Sequence, residues 1–177
     1  MTGELAAAVE EMRAYIADEA AARRAMLLEP DETTYVAARD RAASHLGDGV
    51  TLGFGRAPGG PPVAADNASR SYAESLAPRP LFAVVRHERA GQPVFRAYTA
   101  DESVRSRYAI AFNLADVDGA LKIVGRTSAD PFAPPDQLVW EPLEGDQLDG
   151  AGPPLEVVKL ERPTDPPSAS HYDALPG

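Results

Sequence analysis

Two runs decide the fold: LFAVVRHERAGQPVFRAYT, residues 81–99, and RYAIAFNLADVDGALKIVGR, residues 107–126. In both the apolar residues recur every second position, the period of a strand with one covered face. Leu81–His87 and Val94–Thr99 read as a strand pair around the charged turn Glu88–Pro93. Arg107–Leu114 and Ala120–Arg126 read as a second pair around Asp116-Val117-Asp118-Gly119, where Asp-Gly tolerates the positive φ angles that a tight hairpin demands. Tyr108, Ile110, Phe112 and Leu114 alternate with Ala109, Ala111 and Asn113, so one face is bulky and buried and the other small or polar. A fifth run is expected at Leu138-Val139-Trp140.

Toward the N-terminus the period lengthens. Glu4 to about Leu28 reads as a long helix with Leu5, Val9, Met12, Ile16, Ala20 and Leu27 on one stripe, Thr2 as cap and Pro30 as stop. A second helix is expected from Asp31 or Glu32 to Leu46, with Tyr35, Ala38 and Ala42 at apolar spacing and Gly47 as C-terminal cap. Val50–Phe54 reads as a short strand, and Arg56–Pro62 as loop. Asp66 or Asn67 caps a short helix to about Leu76, with Tyr72 and Leu76 on one face.

Beyond Trp140 the composition shifts. Residues 141–177 hold 7 of the 17 prolines and a net charge of −6 out of the chain's −10, so they read as a flexible acidic tail with one edge strand within 155–160. The expected organisation is an α+β domain over residues 1–140 and the Pro-rich tail over 141–177. Hydrophobic residues make up 44% of the 177, enough for a sizeable core. The acidic excess argues against nonspecific binding to nucleic acid or an anionic membrane, which needs clustered Lys and Arg. With no cysteine, disulfides, thiol nucleophiles and Cys-ligated metals are excluded. Arg outnumbers Lys 15 to 2, a bias that resembles products of GC-rich bacterial genomes. No basic segment followed by an apolar run opens the sequence, so a cytoplasmic protein is expected.

The order helix, helix, short strand, helix, then consecutive antiparallel strands resembles the NTF2-like superfamily, in which a curved sheet wraps against helices to make an open cone. Gly119-Ala120-Leu121-Lys122-Ile123-Val124-Gly125-Arg126 is similar to a strand motif common in such domains. The resemblance spans residues 4–140. It implies α+β architecture, N-terminal helices on a curved antiparallel sheet, and one of several uses: small isomerases, cyclases or dehydratases with an acid–base His/Asp pair, or non-catalytic adaptors, dimeric scaffolds and immunity proteins.

The residues favour binding over catalysis. His45 closes the second helix, His87 a strand and His171 the tail; a catalytic role would place His45 or His87 beside a carboxylate such as Asp40 or Asp101. No Gly-x-Ser-x-Gly elbow occurs, prolines block a helix after the glycines at 53–60, and Asp116-x-Asp118-Gly119 lacks the distal Glu of a calcium loop. Neither a metal nor a cofactor is expected, and no catalytic residue is assigned. Arg96 and Tyr98 fall on one sheet face, and Arg86, Tyr108 and Trp140 join them if the strands pair as successive hairpins. Arg with Tyr and Trp is the usual make-up of a binding hot spot, and the same aromatics also serve as core. The expected function is therefore a non-enzymatic binding protein, in its most specific form an immunity or adaptor protein for a protein partner such as a basic toxin. The alternatives are an isomerase, cyclase, dehydratase or carrier holding a small apolar ligand in the cone, and a homodimeric scaffold.

Overall fold

The computed structural model describes residues 1–100, 109–128 and 151–164, with 169, 172, 173, 175 and 176. The chain forms two compact units, one of Met1–Arg13, Gly47–Val50 and Arg79–Gly177, the other of Ala14–Leu46 and Thr51–Pro78. Helix α1, Gly3–Leu28, passes through both. The class is α+β, and no helix among the described residues is long and apolar enough to cross a membrane.

The first unit is built on an open antiparallel sheet of β1 (Leu81–Arg89), β2 (Gln92–Ala100), β3 (Ala109–Val117), β4 (Ala120–Ser128) and β5 (Glu156–Lys159), in the order β4-β3-β2-β1-β5. The two expected hairpins are present. The first turn is tighter than the sequence suggested, because Arg89 pairs with Gln92 and only Ala90 and Gly91 lie between. Both take positive φ, at 50° and 76°. The second turn is Asp118-Gly119, at 54° and 85°, with the Asp116 carboxylate accepting from the Gly119 N–H at 3.0 Å. Two positive φ angles in a two-residue loop match the twist of the strands they join. β5 pairs with the outer edge of β1 through Val85↔Val157 and its neighbours.

The register sorts side chains onto two faces. On one lie Val84 and Arg86 of β1, Phe95 and Ala97 of β2, Phe112 and Leu114 of β3, and Ile123 of β4. Apart from Arg86 these are buried. The start of α1 reaches this face: Glu4 meets Arg86 at 3.2 Å, and the Glu156 carboxylate accepts from the Thr2 N–H and hydroxyl at 2.8 and 2.9 Å. Thr2 also caps the helix, accepting from the Leu5 N–H at 3.2 Å. The other face holds Ala83, Val85 and His87, then Val94, Arg96 and Tyr98, then Ala111, Asn113 and Ala115. It is small and polar as read from sequence, but it is not open to solvent: Ala111 and Asn113 are fully buried. Both faces of this sheet are covered, so strand alternation here separates two interiors.

The second unit combines the rest of α1 with α2 (Glu32–Ala43) and α3 (Asn67–Glu74). Ala22, Ala38 and Ala42 are buried together, with Leu52 and Phe54 against them. The buried stripe of α1 runs Tyr15, Ile16, Glu19 and Ala22, where Ala20 and Leu27 were expected. Glu19 is tolerated inside because Arg23, one turn on, donates to it at 2.8 Å and lies 4.9 Å over the Phe54 ring.

Residues 50–54 are not a strand. Gly53 takes φ of 77°, which breaks the extended run, and Leu52 and Phe54 serve as side-chain packing for the helices. Next to them, Arg56 donates to the carbonyls of Ala25, Met26 and Glu29 at 3.4, 3.3 and 2.6 Å, and stands 4.2 Å over Tyr35. It thus satisfies the exposed acceptors at the end of α1, helped by the N–H groups of Val63 and Ala64 on Met26 and Leu27. Gly47 does not cap α2, which ends at Ala43 with Ser44 as its C-cap; its N–H donates to the Ile123 carbonyl at 2.8 Å, and a Cβ there would sit 3.3 Å from that oxygen. In α3 the buried residue is Ala73, while Tyr72 is exposed.

Candidate functional site

The sheet face bearing Arg96 and Tyr98 gathers more chemistry than the rest of the described residues. Each position follows from the period of two. Arg96 lies opposite Asn113 on β3, and its Nε–H donates to Asn113 Oδ1 at 3.3 Å. The Asn113 Nδ2 group is buried and has no hydrogen-bond partner. One step along, His87 opposes Val94. Its Nδ1 lies 2.8 Å from the Gly152 carbonyl, an acceptor-only oxygen, so Nδ1 carries the proton and Nε2 is left as an acceptor. That Nε2 is also buried and unpartnered. Burial, with Arg96 nearby, lowers the His87 pKa, against the raising effect of the Gly152 carbonyl. His87 is therefore neutral near pH 7, with one nitrogen committed to the backbone and one unused.

The other end of this face is apolar. Phe82, Ala83, Val85, Tyr98 and Ala111 form one buried cluster, and Leu175, far along the chain, is part of it at 5% exposure. Two further contacts hold the C-terminal residues. Arg162 grips the Asp173 carboxylate through both terminal nitrogens, at 2.8 and 3.0 Å. The Tyr172 ring has the Lys159 ammonium 5.2 Å and the Arg162 guanidinium 5.6 Å from its centroid. The apolar part of the face read from sequence as a binding surface is thus covered by Leu175 of the same chain.

Of the residues singled out by sequence, Arg96 and Tyr98 share this face as expected from alternation. Arg86 does not join them. It pairs with Phe95, one position out of phase, and so points to the opposite face, where Glu4 and Glu88 each accept from it at 3.2 Å. Tyr108 and Trp140 lie outside the described residues, as do Asp101, His171 and the run 138–140. His45 does meet a carboxylate, but the partner is Asp18 on α1, with Nε2 2.8 Å from Oδ2 and the Tyr15 ring edge-on at 5.9 Å. Asp40 pairs with its neighbour Arg39. Among the described residues no three His, Asp or Glu side chains converge as a metal site.

Sequence reasoning named His87 only as a neighbour for a carboxylate, and it missed Asn113 as the partner of Arg96 and Leu175 altogether. For Asn113 a signal was present: an amide in the small-residue phase of β3 lands directly across from Arg96 once the hairpins are aligned. For Leu175 there was none, since a single leucine in a Pro-rich segment has no period to read. Compared with known proteins, the chain matches no family model, no curated protein and no solved structure.

Proposed function

We propose that this chain is a non-enzymatic binding protein of the NTF2-like kind, most specifically an immunity or adaptor protein, that recognises a protein partner through the sheet face bearing Arg96 and Tyr98. The observation that carries this reading is Leu175 seated beside Tyr98 in the apolar cluster, a contact of the recognition type made within one chain. The net charge of −10 favours a basic partner, for which complementary charge speeds encounter. In this reading residues 1–140 form the cone and 141–177 the acidic tail. The test is affinity capture on the full chain followed by co-elution in size-exclusion chromatography. One stoichiometric partner is expected, whose affinity drops about tenfold or more with Arg96→Ala. A chain that retains no stoichiometric partner, or an Arg96→Ala chain that retains it equally, overturns the reading.

One observation favours a second reading, a small-molecule isomerase, cyclase, dehydratase or carrier. The His45–Asp18 pair at 2.8 Å is the arrangement that orients an imidazole for proton transfer. Native mass spectrometry of the purified chain tests it. A stoichiometric small-molecule adduct that disappears with His45→Ala would move the assignment here, and an adduct-free chain would remove it.

A further inference from the structure

Among the described residues, three C-terminal side chains within the first unit each answer a different feature of the surface they pack on. Tyr172 offers a ring to two cations, Lys159 and Arg162. Asp173 offers both carboxylate oxygens to the planar fork of Arg162. Leu175 fills the apolar cluster of Phe82, Val85, Tyr98 and Ala111. The Leu175 N–H donates to the Tyr172 carbonyl at 3.3 Å, so one turn presents all three side chains. Cation pair, guanidinium fork and apolar pocket in a row are the elements by which proteins read a short segment.

We propose that this surface is a receptor for a partner protein segment carrying an aromatic residue, an acid directly after it and a leucine two positions further on, and that Tyr172, Asp173 and Leu175 fill it in cis as a resident stand-in. This rests on the reading of the chain as a partner-binding protein. The commitment to a partner segment comes from the charges: Lys159 and Arg162 select an acid flanked by a π-face, so a partner basic overall meets this surface through one acidic segment. The stand-in is displaceable because its ion pair lies in water, with side chains 62% and 54% exposed, where such pairs hold weakly. Its advantage over an incoming segment is the tether. Being part of the same chain keeps it at high local concentration, so the partner must exceed a threshold before the face opens.

The probe is a fluorescein-labelled peptide of residues 169–177, titrated by fluorescence anisotropy against full chains. Against the unaltered chain binding is expected to be weak, because the site is filled. Against Leu175→Ala, which empties the pocket, binding should tighten about tenfold or more. Adding Arg162→Glu to that chain should lose the gain. Circular dichroism confirms folding; if Leu175→Ala fails to fold, Asp173→Arg, an exposed change, opens the site instead. Equal binding to unaltered and opened chains, indifference to Arg162→Glu, or no binding to the opened chain overturns the proposal. A concentration-dependent dimer of the unaltered chain that exchanges its C-terminal segment would assign the surface to a second copy and overturn it too. Failure here stays separable from failure of the proposed function. A partner that co-elutes undisturbed by Arg162→Glu sinks the receptor alone, and a chain that retains no protein sinks the receptor together with the broader reading.

Discussion

Burial keeps the His87 imidazole neutral, and the proton it refuses when folded is one it accepts when unfolded. Its folded pKa lies below the ordinary 6.5, with desolvation the main cause and the Arg96 charge a smaller one. The unfolded chain therefore binds more protons at mildly acid pH, and stability falls as pH drops through 6.5 toward the folded value. Melting temperature should decline between pH 7.5 and 5.5, and His87→Gln should flatten that decline. An unchanged slope in the variant would assign the effect to another group. Arg56 sets a second test. Its side chain, 2% exposed, reaches three carbonyls at the end of α1 through Nη1 and Glu32 through Nη2 while its plane lies over Tyr35, and a single ammonium can neither span both sets nor stack. Arg56→Lys should cost about 2 kcal/mol in urea unfolding; a loss within experimental error would make the clamp ornamental. His87 was read from sequence as a strand residue, but its burial was not legible, and Arg56 was read only as loop. Arg56 sits among glycines and prolines, and its partners are backbone oxygens, which carry no side-chain identity. Arg96 and Tyr98 were legible, because counting by two needs no partner.

At the scale of elements, the long helix, the capped second helix and the two hairpins could be read because each repeats its signal over several turns or alternations. Residues 50–54 could not. Their composition suits a strand, but Gly53 at φ 77° and the demand for Leu52 and Phe54 between helices decided otherwise. The first hairpin turn was read too wide because alanine is not a usual left-handed residue. That choice leaves strain behind. Ala90 holds φ of 50° where glycine or asparagine rests more easily. Ala90→Gly should therefore raise stability by about 0.5–1 kcal/mol, and Gly119→Ala, at φ 85°, should lower it by about 1 kcal/mol. Chemical denaturation measures both. A destabilising Ala90→Gly would mean that the unfolded-state entropy of glycine outweighs the relief of the turn.

On the scale of the whole molecule, α1 is shared by both units, and the division falls inside it, between Arg13 and Ala14. Ala14 is exposed, so proline there disturbs the backbone without emptying a core. Ala14→Pro should cost about 3 kcal/mol or more; a loss under half of that would mean the helix is dispensable at the division. Strand order makes a second demand. β2 has neighbours on both sides while β4 and β5 close the row, so hydrogen exchange should be slowest in β2 and faster in β5. Equal protection would contradict the order. The sheet's membership was legible, with β5 the edge strand expected within 155–160, but its partner was not, since β5 is four residues long and pairs with a strand separated from it by the whole meander. That pairing matters during synthesis. While a ribosome is making β2, β3 and β4, the outer edge of β1 has no strand to meet until Glu156–Lys159 emerges. A nascent chain in that interval carries a bare edge, on which other chains can template. Arg86, Glu88 and Arg89 place charges along β1, the kind of guard that discourages a foreign strand while the edge waits for its own.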